Sequence, residues 1–370
     1  MDEKFSKFLT TEYKMGKLMI APIDLLLLLA TVAFGILFRS KVFGIVYPGR
    51  DPEAPMASYD VFLKVFGSCF DLVLAVLCGI YTGLITGRKL RGYLIYALTF
   101  LLPVMVMSSC MFKTGDSVYL SLLVLFLILE HFRKKVPAAA AYLAAVLLQP
   151  YALLLLPALP VLTGGGEKSD GRKGEAFLLP AASALAGVLS CFLRYGMQTG
   201  FFLIQSQQVL DTVRGERLLS YNAPNLYQLL GPDAFVSEYT KAGIALTLIV
   251  SICYLFWTAG MAKTGEKYSM GAKLFTAYAS CMLLSFIMPG MCERSGYVGM
   301  LLSVFFVMLY PKYCYHAIAQ VILCFMAGAA FFREGGWFHS PAYAALFQLL
   351  LILDLFCRIK KEIFATEEVL

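Results

Sequence analysis

Charge is scarce in this chain, and it comes in short clusters. Asp, Glu, Lys and Arg supply 15% of its 370 residues, against about 25% in a soluble domain. That shortage excludes an ordinary water-facing surface. Tryptophan (2) and histidine (3) are rarer still, and asparagine occurs only as Asn222 and Asn225. His131, His316 and His339 lie far apart in sequence. The ten cysteines are scattered, mostly in apolar runs, with no Cys-x-x-Cys pair. Metal-ligand spacing is therefore missing, and neither a zinc nor a haem site is expected. Cys110 and Cys292 both fall near polar turns and read as two unlinked small hydrophobes rather than a disulfide. No polar segment is long enough to form a soluble domain at either end.

What fills the chain is apolar. The hydrophobic share is 59% and the mean hydropathy +0.74. Runs of roughly 20 apolar residues, the span of a hydrocarbon core, recur along the whole length. The pattern predicts an all-α integral membrane protein, and the period-two alternation of a membrane β-barrel is absent. The formal net charge of +7 does not point to nucleic acid, because the bases sit in short clusters between apolar runs instead of on one soluble face. It reads as the positive-inside bias of a polytopic protein, with membrane lipids as its surroundings.

In chain order, residues 1–17 form a mixed-charge cytoplasmic segment, too charged for a signal peptide. Residues 18–38 make the first, uncleaved span, which places Asp24 about two turns inside it. Further spans are expected at 65–86, 92–110, 117–130, 175–195, 242–260, 274–288, 297–310, 315–332 and 342–357. Residues 136–162 are flanked by bases on both sides, Arg133 to Lys135 before and Lys168, Arg172 and Lys173 after. Two inner flanks require an even number of crossings, so this stretch reads as two short helices hinged at Gln149-Pro150, where proline removes a helix donor. The sum is about twelve crossings with both termini cytoplasmic, in the plasma membrane, as a single polytopic domain with a long extracytoplasmic loop at 196–241. Of the 31 Lys and Arg, about 20 fall on the inner side, the sign that the positive-inside rule expects.

The polar residues left over gather on the outer side. Asp51, Glu53, Ser58, Tyr59 and Asp60 are in the first outer loop. Lys113 and Asp116 are in the second. Arg194, Asn222 and Asn225 belong to the third, and Glu293 and Arg294 to the fourth. An arginine fork suits a phosphate, and a carboxylate can serve as general base. Within the membrane, Asp354 and Arg358, four apart, are expected to pair on the last helix. Asp71 reads equally as a site wall or an interface charge.

Four stretches, spread from Ser58 to Tyr297, resemble motifs of the GT-C membrane glycosyltransferases, in family order. Ser58-Tyr59-Asp60-Val61-Phe62-Leu63 resembles the first-loop Asp-Tyr-x-x-Phe-Leu. Phe112-Lys113-Thr114-Gly115-Asp116-Ser117-Val118-Tyr119 resembles Trp-Gly-Gln-x-Asp-Ser-Ile-Tyr. Gln149-Pro150-Tyr151-Ala152, running to Pro157, resembles a Lys-Pro-Gln-Ala run. Pro289-Gly290-Met291-Cys292-Glu293-Arg294 resembles Pro-x-Met-His-Glu-Arg. The Asn222-Ala223-Pro224-Asn225-Leu226-Tyr227 segment is also similar to one in bacterial, mannosyltransferase-like members. The departures are Ser58 at the family's expected base, Thr114 at its Gln, Gln149 at its Lys and Cys292 at its His.

The resemblance implies a GT-C-like fold. It also implies transfer of one sugar from a polyprenyl-phosphate-linked donor to a glycan or lipid-linked acceptor, with no metal, nucleotide sugar or other cofactor. Asp116, Asp60 or Asp51 would be the base. Lys113, Arg194, Asn222, Asn225, Glu293 and Arg294 would bind substrate, with Arg294 and Lys113 or Arg194 on the departing phosphate. A catalytically degenerate binding or scaffold relative, and a flippase of lipid-linked sugars, are the alternatives. The outer placement also implies that Cys110 and Cys292 react with an impermeant thiol reagent.

Overall fold

The computed structural model describes residues 13–15, 18–43, 58–112, 114–164, 175–196, 220–230, 237–263, 268–330 and 341–367. The structure is helical almost throughout. Among the described residues, five helices are long and apolar enough to cross a membrane, or six if one bent pair counts as a single span. Chain contacts group into two compact units, Met1–Val124 and Leu125–Leu370.

The first unit opens with a short antiparallel ladder, β1 (Tyr13–Met15) on β2 (Leu18–Ile20). Helix α1 then runs over Pro22–Phe43. The first span therefore begins later than hydropathy alone suggests, because Leu18 to Ile20 pair as a strand. Pro22 sits at the first helical position, where its missing N–H costs nothing. Asp24 reaches back to accept from the Ala21 N–H at 3.0 Å, one half of a capping box. Asp24 is thus a first-turn cap and not a charge two turns deep.

Helix α2 (Ser58–Thr86) and helix α3 (Lys89–Leu101) form a tight antiparallel hairpin. Gly87 closes α2 at φ +62°, the left-handed conformation that favours glycine after a helix. The hairpin's backbones meet at Gly79 and Gly92: a Cβ on Gly92 would stand 2.7 Å from the Gly79 carbonyl oxygen. Gly79 and Gly83 have the spacing of the small-residue pairs that bring membrane helices together. Gly92→Leu should therefore destabilise the hairpin by roughly 1–3 kcal/mol through overpacking, read as a lower thermal midpoint of the purified protein. Gly83→Ala, whose new Cβ would meet nothing within 4 Å, is the control; equal midpoints for the two variants would refute the close approach. Ala75, Tyr96 and Phe100 form the core here, with Leu28 and Val32 of α1 packed against it. After α3 the chain bends by 40° into a further two turns or so, Pro103–Met111.

The bent segment consists of α4 (Pro103–Val106), continued by a π-helical turn over Met107–Met111. α5 is Asp116–His131, and the boundary between the units falls inside it.

In the second unit the chain folds around its own broken segment. Helix α6 (Lys135–Leu148) stops at Gln149, whose backbone is extended at φ −151°, ψ 112°. A 3-10 stretch, Pro150–Ala158, leads into the short helix α7 (Leu159–Thr163). The hinge at Gln149-Pro150 is where the sequence placed it. This irregular backbone is buried, with Tyr151, Ala152, Leu154, Leu155 and Ala158 all closed off. Its carbonyls, which lack the regular α-helical ladder, are capped from the surrounding helices. Tyr142 of α6 donates to the Ala152 carbonyl at 3.0 Å and Ser280 to Leu154 at 2.7 Å. Thr258 donates to Pro157 at 2.5 Å, and Ser190 to Leu147, at the end of α6, at 2.8 Å. Backbone polar groups at membrane depth need such partners, because lipid offers none.

The other three donors come from α8 (Glu175–Gly196), α9 (Ser237–Lys263) and α10 (Met270–Ile287). Helix α10 is the core helix of this unit: 83% of its apolar window is buried, against 28% for α9. Helices α11 (Tyr297–Leu309), α12 (Cys314–Ala330), α13 (Pro341–Asp354) and α14 (Lys360–Glu367) complete the unit, with a π-helical turn between the last two. Asp354 pairs with Arg358 at 3.6 Å, as the four-residue spacing implied, and also accepts from His316 at 3.1 Å.

The outward faces are what lipid requires. Leu25, Leu26, Leu27 and Leu29 of α1 are each half exposed or more, as are Ile249, Ile252 and Phe256 of α9. A water-soluble fold rarely leaves contiguous apolar faces of this extent uncovered. The protein is a helical membrane protein.

Candidate functional site

Two polar clusters are built from residues that the sequence singled out, one in each unit. In the second unit the organising contact is between distant segments. Residues 220–221 form strand β3, which pairs in parallel with strand β4 (Met291–Cys292): Ser220 faces Met291 and Tyr221 faces Cys292. Asn222, at φ 59°, bridges to Cys292 as well. Asparagine is among the few residues that tolerate that left-handed conformation. Gly290, at φ 73°, turns the chain between α10 and β4. Tyr227 anchors the segment by donating to the Ile287 carbonyl at 2.8 Å.

The docking brings Asn222 and Pro224 to the turn that carries Glu293 and Arg294, with Asn225 next in the chain. Glu293 is 6% exposed, and its Oε1 accepts from Arg294 Nε at 3.2 Å. Asn225 is fully enclosed, and neither polar atom of its side-chain amide has a hydrogen-bond partner. A buried amide of that kind is costly unless something else satisfies it. Pro224 and Glu293 line one narrow cleft, together with Ser285, Ser295, Gln320 and Gln348.

Cys292, which stands where the GT-C motif has histidine, lies 2.9 Å from the Tyr151 hydroxyl. Burial, reinforced by the Glu293 carboxylate, pushes its thiol up to about 12. It is protonated at neutral pH and a poor nucleophile. The expectation that Cys110 and Cys292 react with an outside reagent is corrected here. They are 0% and 2% exposed, so packing shields both, although each is a free thiol. Gln149, at the motif's lysine position, is 5% exposed and forms the helix break itself.

In the first unit the cluster centres on Asp116 and Asp71. Asp116 opens α5, is 4% exposed, and its Oδ2 accepts from Ser108 at 2.9 Å and from Thr114 at 2.6 Å. The neighbouring Ser117 donates to Asp71 Oδ1. Asp71 in turn accepts from Arg39 Nη2 at 2.8 Å, and that nitrogen also reaches the Phe100 carbonyl at 2.9 Å. The guanidinium stacks 4.2 Å from the centre of the Phe100 ring. Arg39 and Asp71 are 4% and 1% exposed, so this is a buried ion pair. Its Nε and Nη1 have no hydrogen-bond partner.

Asp60 lies in the first turn of α2 and Arg194 near the end of α8, their side chains outside the described residues; Asp51 and Lys113 lie outside them altogether. Sequence reasoning missed Arg39 as Asp71's partner, because 32 residues separate them. It also missed Gln320 and Gln348. The available signal was two polar amides within apolar runs, which inside a membrane mark a bundle interior. Among the described residues no group of three His, Cys, Asp or Glu side chains is placed to hold a metal ion. Comparison with known proteins gave no matching family model, no matching curated protein and no matching solved structure.

Proposed function

We propose that the chain is a GT-C-type membrane glycosyltransferase, moving one sugar from a polyprenyl-phosphate donor to a glycan or lipid-linked acceptor. In this reading it crosses the plasma membrane about twelve times, both termini are cytoplasmic, and the polar turns lie on the extracytoplasmic face. The shorter apolar helices, among them α6, the Pro150–Thr163 pair and the Leu178–Ser190 part of α8, supply the additional crossings. The observation that carries the reading is the docking of residues 220–230 on the Glu293-Arg294 turn. It sets a segment with an unsatisfied buried amide, Asn225, against the turn that carries a buried carboxylate and a guanidinium. An amphiphile with a polar, phosphorylated head and an apolar tail fits such a place.

Arg294 is the phosphate ligand in this scheme. Its side chain keeps 15% exposure beside Glu293, and its planar fork matches phosphate oxygens. Arg294→Lys keeps the charge and loses the fork, so donor binding should weaken by about 1–3 kcal/mol. Binding of radiolabelled polyprenyl-phosphate sugars to the purified protein reads this out, and wild-type affinity in Arg294→Ala would remove the assignment. A binding subunit without turnover is the second reading. It is favoured by Cys292, whose enclosed and protonated thiol replaces the motif's histidine.

A further inference from the structure

The cleft beside Glu293 is rich in hydrogen-bond acceptors, a character that the resemblance does not account for. Ser285 Oγ spends its proton on the Met282 carbonyl at 3.2 Å, and Ser295 Oγ on the Cys292 carbonyl at 2.8 Å. Both hydroxyls therefore offer only lone pairs. Gln320 Nε2 donates to Gln348 Oε1 at 2.9 Å, which leaves Gln320 Oε1 without a partner among the described residues. Gln348 Nε2 is turned onto the Met282 sulfur at 3.2 Å. Glu293 uses Oε1 on Arg294 and keeps Oε2. The walls thus present acceptors from Ser285, Ser295, Gln320 and Glu293, while each glutamine amide keeps a second N–H beside the one it has placed, Gln320 on Gln348 and Gln348 on the Met282 sulfur.

We propose that this cleft is a subsite for a hydroxyl-bearing group, the saccharide part of the ligand, with Gln320, Gln348 and Ser285 as its specificity determinants. The assignment rests on the function proposed above. A lining with acceptors in excess and two remaining amide N–H groups selects a ligand that both donates and accepts. Hydroxyl groups do both, whereas ammonium groups only donate. The Glu293 charge is already answered by Arg294, so a second cation gains little, and neutral hydroxyls fit better. Glutamines within apolar helices are expensive in lipid and are held here facing one another in the bundle interior. The cleft's free volume of about 10 Å³ is room for one water-sized group, so it takes a single hydroxyl of a sugar and does not enclose the ring.

The test is binding of three probes to the full chain in nanodiscs: polyprenyl phosphate alone, polyprenyl-phosphate hexose, and polyprenyl-phosphate amino-sugar. Wild type should bind the hexose form at least about tenfold more tightly than polyprenyl phosphate alone, the scale of one or two added hydrogen bonds. The double variant Gln320→Leu/Gln348→Leu removes both amides at similar volume and should reduce that ratio to near one, with the affinity for polyprenyl phosphate unchanged. Ser285→Ala, a smaller change that keeps the fold should the double variant not insert, should lower the ratio severalfold. An unchanged ratio in these variants overturns the subsite while leaving the function standing. Tighter binding of the amino-sugar, lost on Gln320→Leu, overturns it in favour of an ammonium site. If wild type binds none of the three, the proposed function fails and takes the subsite with it.

Discussion

Asp71→Ala should cost about 3–5 kcal/mol of stability, because it strands the Arg39 guanidinium in a buried site. Arg39 is 4% exposed, and Asp71 is its only carboxylate partner among the described residues. Two of its nitrogens already lack hydrogen bonds, so the loss of Asp71 leaves one carbonyl, that of Phe100, and the face of an aromatic ring. Arg39→Ala should be comparably damaging for the opposite charge, softened by the Ser117 hydroxyl that remains on Asp71. The joint replacement Arg39→Met/Asp71→Leu removes both charges and restores most of the loss, since well-packed apolar side chains of similar volume often match a buried pair. The thermal midpoint of each purified variant decides the matter. A double variant no more stable than Asp71→Ala would mean that the residues do not act as a pair, and Asp71→Ala melting like wild type would mean that the charge is not buried in the working protein. A double variant that is stable but inactive would point instead to a role for Arg39 in ligand binding.

How far the sequence reaches is clear from where it succeeded. Hydropathy located α10 and α11 to within a few residues and the end of α2 to the residue, because a lipid-facing or core helix is apolar over most of its length; α2 starts at Ser58, seven residues before the expected span. The Gln149-Pro150 break was legible from proline chemistry alone. The start of α1 was not, since Leu18 to Ile20 are as apolar as the helix they precede and only their pairing with Tyr13 to Met15 tells them apart. The site divides in the same way. Asn222, Asn225, Glu293 and Arg294 stood out because polar residues are rare in this chain, yet their meeting depends on the pairing of Ser220 and Tyr221 with Met291 and Cys292. That pairing spans some seventy intervening positions and has no local signal. Gln320 and Gln348 were overlooked because an amide carries no charge, so a search for charged outer residues passes over them. Cys110 and Cys292 were placed by loop position, but burial, which position does not encode, decides their reactivity.

Asp116→Asn separates the two readings of this protein most sharply. The carboxylate opens α5, where an acid is favoured by the helix dipole, and it accepts two hydroxyl protons, from Ser108 and Thr114, on one oxygen. An asparagine carbonyl can accept both of those and caps a helix about as well as aspartate does. The variant should therefore insert and fold with less than about 1 kcal/mol of change. Its chemistry should differ. An amide cannot take a proton, and the loss of a general base costs about a hundredfold or more in rate. Under the transferase reading, Asp116→Asn is a folded protein with wild-type donor binding and little turnover, measured as transfer of label from polyprenyl-phosphate sugar to acceptor. The two hydroxyls that hold Asp116 also fix its direction, so Thr114→Val should lower turnover by a smaller factor at unchanged donor affinity. If Asp60→Asn abolishes transfer while Asp116→Asn retains it, the base belongs to the first turn of α2 and Asp116 is a cap. If wild type binds donor and transfers nothing, Asp116→Asn will be silent in every assay, and the chain is a binding subunit built on an enzyme's plan.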